Sequence, residues 1–151
     1  MREFSSLADM QALVGQELAV SDWLEITQER VNLFADATDD HQWIHVDQER
    51  CARESPFGGP VAHGYLTLSL ISGLFGRALR MVDAKMVVNY GLNKVRFPAP
   101  VPVGSRVRAR LTLLQVESIE GGAQLEWSVV VENEGGAKPV CVAELLMRRY
   151  A

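Results

Sequence analysis

Apolar and polar positions divide the chain into two regimes that meet near Met81. Beyond that point the spacing is two. Val107, Ala109, Leu111 and Leu113 alternate with Arg106, Arg108, Arg110 and Thr112. Leu125, Trp127, Val129 and Val131 alternate with Gln124, Glu126 and Ser128, and Cys141, Ala143, Leu145 and Met147 form another apolar row. This alternation predicts antiparallel strands packed on one face and wet on the other. Glu120-Gly121-Gly122 and Glu134-Gly135-Gly136 place glycine where hairpins need positive φ. A preceding strand is predicted from Met86 to Phe97, ended by the Pro98–Pro102 segment. Within it, Asn89-Tyr90-Gly91-Leu92-Asn93 carries a glycine, the mark of a bulge beside a ligand or of a dimer contact.

Before Met81 the chain reads as helix and loop. An apolar segment runs from Leu7 to Leu18, and a strand is predicted around Trp23 to Ile26. Thr27 is a good N-cap for a helix with Val31, Phe34 and Ala35 at helical spacing. That helix should fail in the polar run Asp36–Asp40. Asp47 looks like the cap of a short helix from Gln48 to Glu54. Two prolines and two glycines make Ser55–Pro60 a loop. An apolar helix, read as buried, follows from Gly64 to Leu79. No repeat or linker divides the sequence, so one domain, 1–151, is expected. A long apolar helix ahead of long strands predicts an α+β fold, a curved antiparallel sheet wrapped round the helix. One helix covers only part of such a sheet, and a second copy is the simplest cover, which predicts a homodimer.

Composition narrows the function classes. The 151 residues are 48% hydrophobic and 23% charged, with a formal net charge of -4. A nucleic-acid partner would leave a strongly basic surface, so none is expected. The start, MREFSSLADMQAL, lacks the apolar stretch of a signal peptide. Tyr65 to Leu79 falls short of the roughly 20 residues a bilayer span needs. No membrane association and a cytoplasmic location are therefore expected. Cys51 and Cys141 have no metal-binding spacing and read as small buried hydrophobes. No metal or organic cofactor is implied, because no ligand cluster or phosphate-binding fingerprint occurs.

The densest chemistry lies in Asp39-Asp40-His41-Gln42-Trp43-Ile44-His45-Val46-Asp47. A carboxylate and an imidazole close together in a partly apolar pocket can divide acid and base work near neutral pH. On spacing alone, Asp40 and His45 also read as a helix cap and a surface histidine. A second feature changes the balance. Phe57-Gly58-Gly59-Pro60-Val61-Ala62-His63-Gly64-Tyr65 leads straight into the apolar helix, whose first N–H groups are free to donate to a developing negative charge.

Together the two segments, Asp40-x4-His45-x-Asp47 and Phe57 to Gly64, resemble the MaoC-like, (R)-specific enoyl-CoA hydratase family. Its small single-hotdog bacterial members match nearly the whole chain. The resemblance implies a hotdog fold and reversible addition of water to a trans-2-enoyl thioester, giving an (R)-3-hydroxyacyl thioester in fatty acid metabolism. It implies that Asp40 and His45 hold one water against the β-carbon, one as base and the other as proton donor, with Asp40 favoured as the main base and the division between the two left open. The oxyanion contact maps onto the Gly64 N–H. Ala62 and His63 join the substrate-binding loop, His63 fixing it rather than moving protons. Ser72 either supports the polar network or is an ordinary helix serine. The thioester carrier is coenzyme A or an acyl carrier protein, with Arg77, Arg80, Lys85, Lys94 and Arg96 as candidates for its phosphates. The chain departs from the family at Gln42-Trp43, where many members carry Asn-Pro; this bears on loop geometry and acyl preference. Three rivals share the fold: a hotdog acyl-CoA thioesterase, a 3-hydroxyacyl-ACP dehydratase subunit that works only with a partner, and a dehydratase of the same family acting on a polar substrate.

Overall fold

The computed structural model describes residues 1–151. Its elements, in order, are β1 (Arg2–Phe4), α1 (Leu7–Gln11), β2 (Glu17–Val20), β3 (Leu24–Glu25), α2 (Gln28–Thr38), α3 (Trp43–Val46), α4 (Gln48–Glu54) and α5 (Gly64–Ala78). After them come β4 (Leu79–Met81), β5 (Met86–Arg96), β6 (Arg106–Ile119), β7 (Gly122–Asn133) and β8 (Cys141–Tyr150). The main sheet is antiparallel in the order β2-β6-β7-β8-β5, with β3 also paired to β6; β1 and β4 form a small parallel pair apart from it.

The period-two pattern does what it predicted. Ala109, Leu111, Leu125, Trp127, Val129 and Cys141 are fully buried on the concave face. Phe75 of α5 meets Trp127 edge-on, with ring centroids 4.9 Å apart. On the outer face Arg106 pairs with Glu134, Arg108 with Glu132 and Arg110 with Glu17 across neighbouring strands. Both hairpin glycines adopt positive φ, 75° at Gly121 and 74° at Gly135. Each cysteine is free and buried, and burial pushes the Cys141 thiol up to about 11.

Caps set the helices that carry the site. The Thr27 hydroxyl accepts from the Arg30 N–H at the start of α2, and the Asp47 carboxylate accepts from the Arg50 N–H at the start of α4. At the end of α2, Asp39 turns into the left-handed region with φ 59°, which a short polar side chain tolerates. That turn throws Asp40 out of the helix.

Four readings are sharpened or corrected by the structure. The Leu7–Leu18 segment divides into α1 and β2 because Ser6 and Asp9 build a capping box around a single helical turn. The strand near Trp23–Ile26 is only Leu24–Glu25. The apolar helix stops at Ala78, since Leu79 is already extended, with ψ 139°, to pair with Arg2. It is also not buried all round. Leu66, Ile71, Leu74 and Phe75 face the sheet, whereas Ser69, Ser72, Gly73 and Gly76 are exposed. No helix is long and apolar enough to cross a membrane.

Candidate functional site

The segment from Asp40 to Asp47 is held against the approach to α5 by backbone and side-chain bonds from two directions. The Val61 N–H donates to the Ile44 carbonyl at 3.0 Å, and His45 Nδ1–H donates back to the Val61 carbonyl at 2.6 Å. From α2, the Gln28 amide donates to the His45 carbonyl at 2.8 Å. From α4, Arg50 stacks over Trp43 at 4.2 Å and the Cys51 thiol reaches the Trp43 carbonyl. Trp43 lacks proline's fixed φ, and the Arg50 stack gives this segment a different anchor.

These bonds bring Asp40, His45 and His63 together. A carboxylate oxygen and one ring nitrogen from each histidine lie within 4.8 Å of one another. His45 and His63 are buried at 7% and 3% exposure, and Asp40 is exposed. All three line an open cleft of about 290 Å³ with Gly64, Tyr65 and Phe97. Two polar atoms up to 4.8 Å apart can both bond one water at ordinary distances of about 2.7–3.0 Å.

Hydrogen bonding assigns the histidine protons. A carbonyl can only accept, so His45 carries its proton on Nδ1 and offers a bare Nε2. By the same reasoning His63 carries its proton on Nε2, which donates to the Asp40 carbonyl at 2.9 Å. Burial holds the His45 imidazole below its ordinary value; the Val61 bond and the Asp40 carboxylate oppose this, and the electrostatic effect of nearby His63 acts with burial. His45 therefore stands neutral at pH 7 and is an acceptor towards the cleft.

The same three side chains have a spacing that admits a metal ion, but their orientation does not suit one. The two rings stack with centroids 3.8 Å apart and planes inclined by 22°. A metal bonded to both would lie in both ring planes at about 2.0–2.1 Å, which nearly parallel planes at this separation do not allow.

The other candidate residues divide. Gly64 opens α5 and lines the cleft, with an N–H that has no acceptor inside the helix. A side chain there would meet the Phe97 ring at 3.0 Å, so glycine suits the close approach. The Ala62 N–H is already spent on the Val101 carbonyl at 2.8 Å, and Ala62 lines a neighbouring apolar pocket instead. Ser72 lies elsewhere too, in the groove between α5 and β5, where its hydroxyl accepts from the Asn89 amide at 3.2 Å. Of the candidate cations, Arg80 and Lys85 line an adjoining cavity of about 410 Å³ that Ser72 and Asn89 also border. Sequence reasoning missed Tyr65 and Phe97 as cleft walls and Gln28 as a clamp on the His45 backbone. Nothing in their spacing pointed to the cleft.

The chain is similar to known proteins in sequence and in fold. The family model described as "MaoC like domain" matches residues 9–134. The chain is 56% identical over 152 residues to "3-hydroxyacyl-thioester dehydratase Z" of Mycobacterium tuberculosis, covering 100% of each. It is 48% identical over 141 residues to "Nodulation protein N" of Rhizobium leguminosarum bv. viciae, covering 91% of this chain and 87% of the relative. Among solved structures, the fold matches "R-Hydratase PhaJ1" from Pseudomonas aeruginosa with a TM-score of 0.73 and 25% identity, covering 91% of this chain and 81% of that one. The (R)-hydratase from A. caviae matches with a TM-score of 0.71 and 26% identity, over 89% and 94% of the two chains.

Proposed function

Because the chain belongs to the MaoC-like dehydratase family, with the hotdog fold, we propose that it is a hydro-lyase that adds water reversibly to trans-2-enoyl thioesters, giving (R)-3-hydroxyacyl thioesters. The observation that carries this reading is the meeting of the Asp40 carboxylate with the His45 ring nitrogen beside the start of α5.

The protons can be followed atom by atom. Water bound between Asp40 and His45 attacks the β-carbon, and its proton passes to His45 Nε2. The π pair of the enoyl group moves onto the thioester oxygen, which accepts from the Gly64 N–H. The enolate then collapses, and the α-carbon takes the proton back from the His45 imidazolium on the same face. Asp40 accepts the second O–H of the water and offsets the imidazolium charge. This exchanges the roles expected from the family resemblance. A neutral His45 bonded through Nδ1 to Val61 has no N–H for the cleft, so it serves as the base for hydration and Asp40 as its partner.

Incubating the purified chain with crotonyl-CoA tests the function. Hydratase activity removes the enoyl absorbance with no free thiol and yields the (R)-alcohol; release of thiol would make the chain a thioesterase. A chain inactive alone but active with a second subunit would support the obligate-partner reading.

Gly64 permits a matched pair of substitutions. Proline at the first helical position is compatible with the helix, and His63, at ψ 137°, already has the backbone that precedes proline. Gly64→Pro and Gly64→Ala both add a Cβ against Phe97, but only proline removes the N–H. The proline variant should turn over about 10²–10³-fold more slowly than the alanine variant. Equal rates would remove Gly64 from the oxyanion role.

A single domain that pairs with a second copy completes the proposal. Edge strand β5 exposes Val87, Val88, Tyr90 and Leu92, and its register slips near Asn89–Gly91. An apolar edge of this length invites a partner strand. In size-exclusion chromatography with light scattering, the chain should run as a dimer and Val88→Lys as a monomer. An unshifted Val88→Lys dimer would move the interface off β5.

A further inference from the structure

His63 makes contacts that neither general loop packing nor substrate binding requires. One segment of coil, from Asp39 to Gln42, carries Asp40, whose anchors are two. Gln42 N–H reaches its carboxylate at a long 3.3 Å, and His63 Nε2–H holds its carbonyl at 2.9 Å. The same His63 ring lies flat on His45 at 3.8 Å and tilts against Phe34 of α2 at 4.9 Å. Its second nitrogen, Nδ1, is buried without a partner. Phenylalanine would pack as well and bury no unpartnered nitrogen, but it could not donate to the Asp40 carbonyl. Glutamine would donate as well without a ring. Only a side chain that stacks and donates at once serves both contacts, and histidine is the one of that size.

We propose that His63 is a positioning residue for the hydration reaction: it locks the Asp40 backbone to the His45 imidazole so that carboxylate and ring nitrogen stay in register on one water. The inference rests on the proposed function above. It also has an electrostatic side. The titratable groups around the cleft are Asp40 from the α2–α3 connection, His45 on α3, His63 ahead of α5 and Tyr65 on α5; β5 is followed by uncharged Phe97. Among these, His63 works against protonation of His45 and Asp40 favours it. Hydration requires neutral His45, so kcat/KM falls on the acid side as His45 takes up a proton. Replacing His63 with an uncharged side chain takes away that opposition, which moves the acid limb to higher pH.

Two variants separate the two contacts. His63→Phe keeps the stacked ring and loses the donor; His63→Gln keeps a donor and loses the ring. With crotonyl-CoA, His63→Phe should lower kcat by about 10–100-fold with KM little changed, the scale of a small misplacement of a reacting group. His63→Gln should recover part of that loss, and both should shift the acid limb upward between about pH 5 and 7. Wild-type kcat and pH profile in both variants, or a change confined to KM, would overturn the proposal. Imidazole ¹⁵N NMR of the wild-type chain gives a test independent of folding and activity. His63 should show a protonated Nε2 and bare Nδ1, and His45 the reverse; a proton on His63 Nδ1 would overturn the coupling. An inactive wild type with these tautomers would refute the hydratase reading alone.

Discussion

Asp40→Asn should lower turnover of an enoyl thioester by about 10²–10⁴-fold while the protein melts as before. The amide has the shape of the carboxylate, and its oxygen can still accept from the Gln42 N–H. What disappears is the negative charge that faces the nascent imidazolium and accepts from the second O–H of the water. Because Asp40 is exposed, its stability effect should stay within about 0.5 kcal/mol, as for most surface substitutions. Steady-state rates alongside a thermal melt check both parts. A variant that keeps near-normal turnover would remove Asp40 from the chemistry.

His45→Gln should reduce turnover at least as much, because it removes the group that takes and returns the proton. Here folding also responds. His45 is buried, and its Nδ1–H satisfies the Val61 carbonyl at the point where the two loops meet. Leaving that acceptor bare would cost about 1–3 kcal/mol; the glutamine amide can restore part of the bond. The melting temperature should therefore fall by a few degrees at most. The double variant Asp40→Asn/His45→Gln is the sharper comparison. Two groups acting on one water are not additive, so the double variant should turn over little more slowly than the worse single one. Multiplied losses would mean that the two residues act on separate steps.

Much of the fold was legible because burial on one sheet face imposes period two, and Val107 to Leu113 and Leu125 to Val131 state it plainly. The capped helices were legible for a local reason, since Thr27 and Asp47 satisfy donors within three residues of themselves. The β1–β4 pair was not, because a three-residue strand such as Arg2–Phe4 has no periodicity and is defined by a partner 77 residues away. For the site, the pairing of Asp40 with His45 could be suspected from the motif. The proposed direction of proton transfer could not, because it rests on the Val61 carbonyl, a backbone atom from a different loop. Ala62 shows the converse. Its place in the motif suggested a role in binding, and only the register with Val101 reveals that its N–H is already used.

The most direct test of the shared-water mechanism is a crystal structure of Asp40→Asn with crotonyl-CoA bound. The account expects the enoyl β-carbon beside the gap between residue 40 and His45 Nε2, with the thioester oxygen within hydrogen-bond reach of the Gly64 N–H. A substrate whose β-carbon lies beyond Phe97, out of reach of His45, would contradict it.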